Sequence, residues 1–295
     1  MLRVFYYYFA TLLVVQFGLQ FLILGTLGPR AIEKIAAGEK GVVDAVLWLA
    51  FQALLLPLVY FLTSHFTAAR DGRQLGEIGL AWPPGTTSGL FFAAALAAIL
   101  LGIFRLLAGQ WLQVEVQEIA PELQTPWLPL GPTALALLVL GLFASAFFDE
   151  LMFRGYLYST LREKFSWVHA AGLSNLLYLS FHGFAPEVGA AAMINVFLTG
   201  LLLSGLRERS GSLAAGVAYQ VVWNLVLGSL YSMRLSGEDF PRYREVRLLG
   251  NSELSGGAYG PEGGWLITGV LVLGLVLVVP WVERGRPAPV VTPGA

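Results

Sequence analysis

Long apolar runs dominate this chain and limit what it can fold into. Stretches near the ~20 residues that a helix needs to cross a bilayer recur at roughly 4–28, 42–64, 87–108, 131–152, 167–183, 188–206, 212–232 and 264–282. Composition agrees: 56% of the 295 residues are hydrophobic and 13% are charged, where soluble domains carry about 25% charged residues. The expectation is an all-α, polytopic membrane protein of about eight transmembrane helices with a polar site inside it. Residues 1–284 read as a single integral membrane domain, and 285–295, with Pro and Gly, as a flexible tail. The first run is longer than the 7–15 apolar residues of a signal peptide, so it reads as a retained span.

Charge sets an expected orientation. Arg70 and Arg73, Arg162 and Lys164, Arg207 and Arg209, and Arg284 and Arg286 follow the even-numbered runs. The connection 109–130 holds Glu115, Glu118 and Glu122 and neither Lys nor Arg. An even number of spans with this bias puts both termini in the cytoplasm. The loop after the seventh run mixes Arg234, Arg242, Arg244 and Arg247 with Glu238, Asp239, Glu245 and Glu253. Tryptophans 82, 111, 127, 167, 265 and 281 stand near run ends, as an interfacial belt does. A net charge of -1 offers no basic surface for nucleic acid, and the absence of Cys excludes disulfides and thiolate chemistry. The break at 233–263 is Gly-, Ser- and Arg-rich and reads as an ordered or semi-ordered extramembrane loop.

Against this background, a few polar residues stand where they are expensive. Asp149 and Glu150 end an almost wholly apolar stretch, and the chain continues Leu151-Met152-Phe153-Arg154-Gly155. A charge inside a bilayer costs several kcal/mol and is usually paired and functional. The next run ends in Phe181-His182, and the seventh carries Gln220 and Asn224. The polar break Arg162-Glu163-Lys164 turns the chain between the fourth and fifth runs, with Asp149 and His182 at comparable distances on either side. At 1.5 Å per residue an antiparallel hairpin puts them at similar depth. Glu150 and Arg154, Tyr178 and His182, and Gln220 and Asn224 are each four apart and share helix faces.

The chemistry of this set suggests hydrolysis by an activated water. One of two crowded carboxylates can serve as a general base near neutral pH. His182 can orient the water or donate to the leaving group, and Asn224 and Gln220 can donate to a developing oxyanion. Arg154 can hold Glu150 in a charge-assisted pair. Plainer roles exist for each residue: a helix-stabilising ion pair for Glu150 and Arg154, and interhelical hydrogen bonding for Asn224 and Gln220. His65 and His169, at run ends, read as interfacial. Asp149, Glu150 and His182 offer metal ligands, but there is no His-Glu-x-x-His helix and there are 3 histidines in all. No metal and no cofactor are expected.

At these residues the chain resembles the CAAX protease and bacteriocin-processing (CPBP, or Abi) family of intramembrane proteases. The family's Glu-Glu-x-x-x-Arg motif is matched by Asp149-Glu150-Leu151-Met152-Phe153-Arg154, followed by Gly155. Its Phe-x-x-x-His motif is matched by Tyr178 to His182, and its His-x-x-x-Asn motif by Gln220-Val221-Val222-Trp223-Asn224. Asn195-Val196-Phe197-Leu198-Thr199-Gly200 and Arg209-Ser210-Gly211-Ser212-Leu213 match a bacterial stretch between them, and Gly256 to Glu262 looks like a loop of one bacterial subgroup. The family-like core spans 131–282.

The resemblance implies a glutamic-type intramembrane endopeptidase of eight helices. Asp149 stands at the water-activating Glu, His182 and Gln220 at the two histidines, Asn224 completes the site, and Arg154 supports the carboxylates. Asp149 and Gln220 depart from the family pattern: one is a methylene shorter, and the other cannot carry a proton. The implied partners are the lipid bilayer and a membrane-anchored peptide or protein substrate, and the implied location is a bacterial inner membrane. The alternative expectation, which the two departures favour, is a catalytically impaired relative that binds a membrane protein or peptide.

Overall fold

The computed structural model describes residues 2–26, 55–118, 132–182, 187–237 and 244–284. Helix stands at the described part of every apolar run. The helices are α1 (Leu2–Thr26), α2 (55–70), α3 (Thr86–Trp111), α4 (starting as Pro132–Asp149), α5 (Trp167–His182), α6 (Ala190–Ser210), α7 (starting as Ala214–Asn224) and α8 (Trp265–Arg284). Among the described residues, 4 helices are long and apolar enough to cross a membrane: Thr86–Trp111, Ala136–Arg162, Ala190–Ser210 and Trp265–Arg284. Leu2–Val15 and Ala214–Leu230 are shorter apolar helices. The protein is thus a mostly helical membrane protein. The tail 285–295, the connection 119–131 with Glu122 and Trp127, and the start of the second run lie outside the described residues.

The bundle core is built where α3, α4, α6, α7 and α8 pack on one another, with α5 against α6. Leu100, Leu101 and Phe104 of α3, Leu202, Leu203 and Leu206 of α6, Leu227 after α7 and Val270 and Leu271 of α8 are all buried there. The outer surface is apolar too: Phe91, Leu106, Val276 and Leu140 are well exposed. A helix apolar all round belongs in a large core or in lipid, and these side chains face outward, so lipid is their solvent.

Among the described residues three helices carry π-helical turns, in which the hydrogen bonds run i→i+5. His65–Arg70 closes α2, Glu150–Leu157 follows Pro132–Asp149 and passes into a last α turn Tyr158–Arg162, and Leu225–Leu230 follows Ala214–Asn224. Helix α4 therefore runs on to Arg162. The π register was not legible, since the apolar pattern of 150–157 suits either winding.

One end of the bundle is tied by ions. Arg3 pairs with Asp71 at 3.1 Å and also with Glu163, and Arg73 reaches Glu163 at 2.6 Å. Arg162 pairs with Glu208 at 2.9 Å, while the Tyr158 hydroxyl donates to the same carboxylate. At the opposite end the all-α expectation needs a small amendment. β1 (Gln113–Glu118) and β2 (Arg244–Leu249) form a two-stranded antiparallel sheet, pairing Val114 with Leu248 and Val116 with Val246. Val114-Glu115-Val116 and Val246-Arg247-Leu248 alternate apolar and polar residues, the period of a strand. The tryptophan belt also needs correction at Trp167, which is buried with its indole N–H donating to Glu283 at 2.9 Å. Trp82, Trp111 and Trp265 are exposed.

Candidate active site

The π-helical turn of α4 places the charged residues. All of Glu150–Leu157 is buried, including Glu150 and Arg154, each with no exposed surface. Arg154 Nη1 lies 3.7 Å from Glu150 Oε1. In an i→i+5 register Asp149 also comes into line with Arg154, and the two lie within electrostatic reach of each other. The Asp149 side chain is half-buried and makes no hydrogen bond to another side chain among the described residues.

Helix α5 supplies the next contacts. Arg154 Nη2 donates to Asn175 Oδ1 at 3.1 Å, and its guanidinium carbon stands 4.4 Å from the centre of the Tyr178 ring. Phe153, edge-on at 4.9 Å, and His182, tilted at 4.4 Å, also pack on that ring. Tyr178 thus joins the arginine to the histidine through one aromatic body, a use of the ring that Phe would share. His182 Nδ1 is 3.3 Å from the backbone carbonyl of Tyr178. A carbonyl only accepts, so Nδ1 carries the proton, and in the neutral ring Nε2 is left as an acceptor.

Helix α7 closes the site from a third direction. Gln220 Nε2 donates to Glu150 Oε1 at 3.0 Å, from a buried position. Asn224, four residues on, is half-buried and makes no hydrogen bond to the other candidate residues among those described. Between them Trp223 stacks on Tyr219 at 5.6 Å and donates its indole N–H to Glu262 Oε1 at 2.8 Å.

Two glycines make these approaches possible. A Cβ at Gly216 would run into the Glu150 carboxylate, and one at Gly200 into the Asn175 amide and the Arg154 guanidinium. Only hydrogen fits where a backbone meets a buried charged group this closely.

The arrangement therefore joins Glu150, Arg154, Tyr178, His182 and Gln220 in one connected cluster across α4, α5 and α7, with Asp149 beside it and Asn224 where α7 passes into its π-helical turn. Tyr178 lies within electrostatic reach of Asp149, Glu150, Arg154 and Glu262. Sequence reasoning had not assigned roles to Asn175, Gly200, Gly216 or Glu262. A signal was present for two of them. Asn175 lies on the face of Tyr178 and His182 at i, i+3 and i+7, and Gly216, Gln220 and Asn224 form an i, i+4, i+8 stripe. Among the described residues no group of three or more His, Cys, Asp and Glu side chains is placed to hold a metal ion. His65 and His169 lie apart from the cluster; His169 Nδ1 is hydrogen-bonded with the Ser166 hydroxyl at 2.7 Å.

No curated protein matches the chain, and no solved structure matches it. A family model does match, over residues 131–226, a segment that contains Asp149, Glu150, Arg154, Tyr178, His182, Gln220 and Asn224. The segment holding the polar cluster is similar to the type II CAAX prenyl endopeptidase Rce1-like family.

Proposed function

We propose that the protein is an intramembrane endopeptidase that hydrolyses a peptide bond of a membrane-anchored protein or peptide with a carboxylate-activated water. The observation that carries this reading is the different setting of the two adjacent carboxylates. Glu150 is fully buried, holding Arg154 and accepting from Gln220. Asp149 is half-buried and uncommitted among the described residues, so it is the carboxylate available to a water.

In this reading Asp149 takes a proton from water as the water oxygen bonds to the scissile carbonyl carbon. His182 Nε2 accepts from the second water hydrogen and so aims the oxygen. The side-chain N–H of Asn224 donates to the oxygen that becomes negative. Asp149 then returns its proton to the leaving nitrogen as the carbon–nitrogen bond breaks, giving a carboxylic acid and an amine. Glu150, Arg154 and Gln220 hold the helices in register and do not exchange protons with substrate.

The wider architecture belongs to the same proposal: eight spans, both termini in the cytoplasm, a bacterial inner membrane, and no metal in the reaction. The test is cleavage by protein purified into lipid nanodiscs. The substrates are a prenylated CAAX peptide, an unprenylated copy and single-span membrane peptides, with products identified by mass. Cleavage that Asp149→Asn abolishes supports the reading. Tight binding of a peptide that is never cut would favour the impaired-relative alternative.

A further inference from the structure

The segment between α7 and α8 holds a third carboxylate beside the cluster, and it is unusually well held. Glu262 Oε1 accepts from the Trp223 indole at 2.8 Å, and Oε2 accepts from the Ser236 backbone N–H at 2.8 Å and the Ser236 hydroxyl at 2.7 Å. Three donors on one carboxylate are charge-assisted bonds, about twice as strong as neutral ones. Ser236 adopts φ 49°, a left-handed conformation that a residue other than Gly takes only when its surroundings impose it. That conformation is what turns both of its donors toward Glu262.

The rest of the segment is built to keep Glu262 in place. Asn195 of α6 donates to the backbone carbonyls of Glu262 at 2.8 Å and Gly264 at 3.1 Å, while its own Oδ1 accepts from Thr268 of α8 at 2.7 Å. Arg234 donates to Ala258 and Gly237 carbonyls at 2.6 and 2.8 Å. Gly260, at φ 93°, lies so close to Arg234 that a Cβ would meet its carbonyl oxygen at 2.7 Å. Burial and the Glu262 charge together push the Tyr259 phenol up to about 12. Trp223 of α7 and Ser236 of the loop thus hold the Glu262 side chain, and Asn195 of α6 holds its backbone; Trp223 immediately precedes Asn224 and lies three residues beyond Gln220.

We infer that Glu262 is a positioning residue, a latch that fixes residues 232–237 and 256–264 against α7 and thereby sets Trp223 and Asn224 for the reaction. It rests on the peptidase reading for its functional half. A structural tether alone would stabilise the fold and leave turnover per folded molecule unchanged. A latch acting through Trp223 lowers kcat when released and leaves KM almost alone, because Glu262 does not touch substrate.

The experiment uses the full chain in nanodiscs, with Glu262→Gln, Trp223→Phe and the double variant, plus Ser236→Ala as a milder release. Turnover is measured per folded molecule on whichever peptide the wild type cleaves. Hydrogen exchange is measured on all forms without substrate. The expected result is that Glu262→Gln and Trp223→Phe each lower kcat about tenfold or more with KM changed less than about threefold. The double variant is expected to be no worse than the poorer single one, since Glu262→Gln removes the charge from the same Trp223–Glu262 bond that Trp223→Phe deletes. Exchange of amides in 232–237 and 256–264 rises about tenfold in Glu262→Gln, and less in Ser236→Ala. Additive losses, or full kcat in folded Glu262→Gln, overturn the positioning role. Unchanged exchange overturns the latch whatever the enzyme does. If Glu262→Gln does not fold, Ser236→Ala and Trp223→Phe decide by the same criteria. If the wild type cleaves nothing while exchange responds as expected, the tether stands, and the peptidase reading and the positioning role fail together.

Discussion

The Gln220 side-chain amide donates to Glu150 at 3.0 Å, so the position where the resembled family has a histidine is tied to the second carboxylate of the pair and not to Asp149. A primary amide donates here without taking up a proton, which suits a brace between α7 and α4. In the proposed mechanism Glu150 is structural and Asp149 is the base, which makes the two carboxylates experimentally distinguishable.

Asp149→Asn is expected to remove cleavage by about a hundredfold or more, the range for loss of a general base, with thermal unfolding close to wild type. Glu150→Gln is expected to lower thermal stability as well as activity, because it removes the carboxylate that pairs with the buried Arg154. Kinetics and unfolding of both variants in the same detergent check this. Equal stability losses in the two would contradict the separation of roles.

The Glu150–Arg154 pair should show strong coupling. Breaking one partner of a buried pair costs about 3–5 kcal/mol, whereas replacing both by groups of similar volume is often neutral. Arg154→Met alone should therefore be much less stable than the Glu150→Gln and Arg154→Met double variant. Equilibrium unfolding in mixed micelles measures the difference, and additive losses would show that the pair is not coupled.

Gly216→Ala should disrupt the site by forcing the new methyl into the Glu150 carboxylate, and Gly200→Ala should do so through Asn175 and Arg154. Gly102→Ala and Gly269→Ala are controls, since a Cβ at either meets nothing within 4 Å. The expected outcome is loss of activity and a lower unfolding temperature for the first two, with the controls unchanged or slightly more stable. Wild-type behaviour of Gly216→Ala would mean that α7 and α4 are not so closely opposed.

Reversion toward the resembled family pattern tests whether Asp149 and Gln220 weaken the chemistry. Asp149→Glu carries the carboxylate one methylene further, and Gln220→His supplies a group that exchanges protons. If the present residues limit the rate, the double variant should turn over at least several-fold faster than either single one, since a displacement of about 1 Å can matter a hundredfold. A slower double variant would identify Asp149 and Gln220 as working parts of the site and would end the impaired-relative reading.

Several features were legible in the sequence because they follow from local chemistry. Apolar runs of spanning length announced a helical membrane protein, since lipid tolerates little else over such distances. The cost of burying charge marked Asp149, Glu150 and Arg154, and helical spacing put Tyr178 with His182 and Gln220 with Asn224. Tertiary structure alone decided which partner each group took. Gln220 and Glu150 stand 70 residues apart, as do Asn175 and Arg154 by 21 and Trp223 and Glu262 by 39, so no periodicity along one helix relates them. The same holds for Gly200 and Gly216, whose lack of a side chain acquires meaning only when another helix brings a charged group against the backbone. The sheet of β1 and β2 likewise pairs segments that are distant in the chain. Periodicity along a chain specifies which face of an element is special, but the facing element is chosen by packing, and the site is made of facing elements.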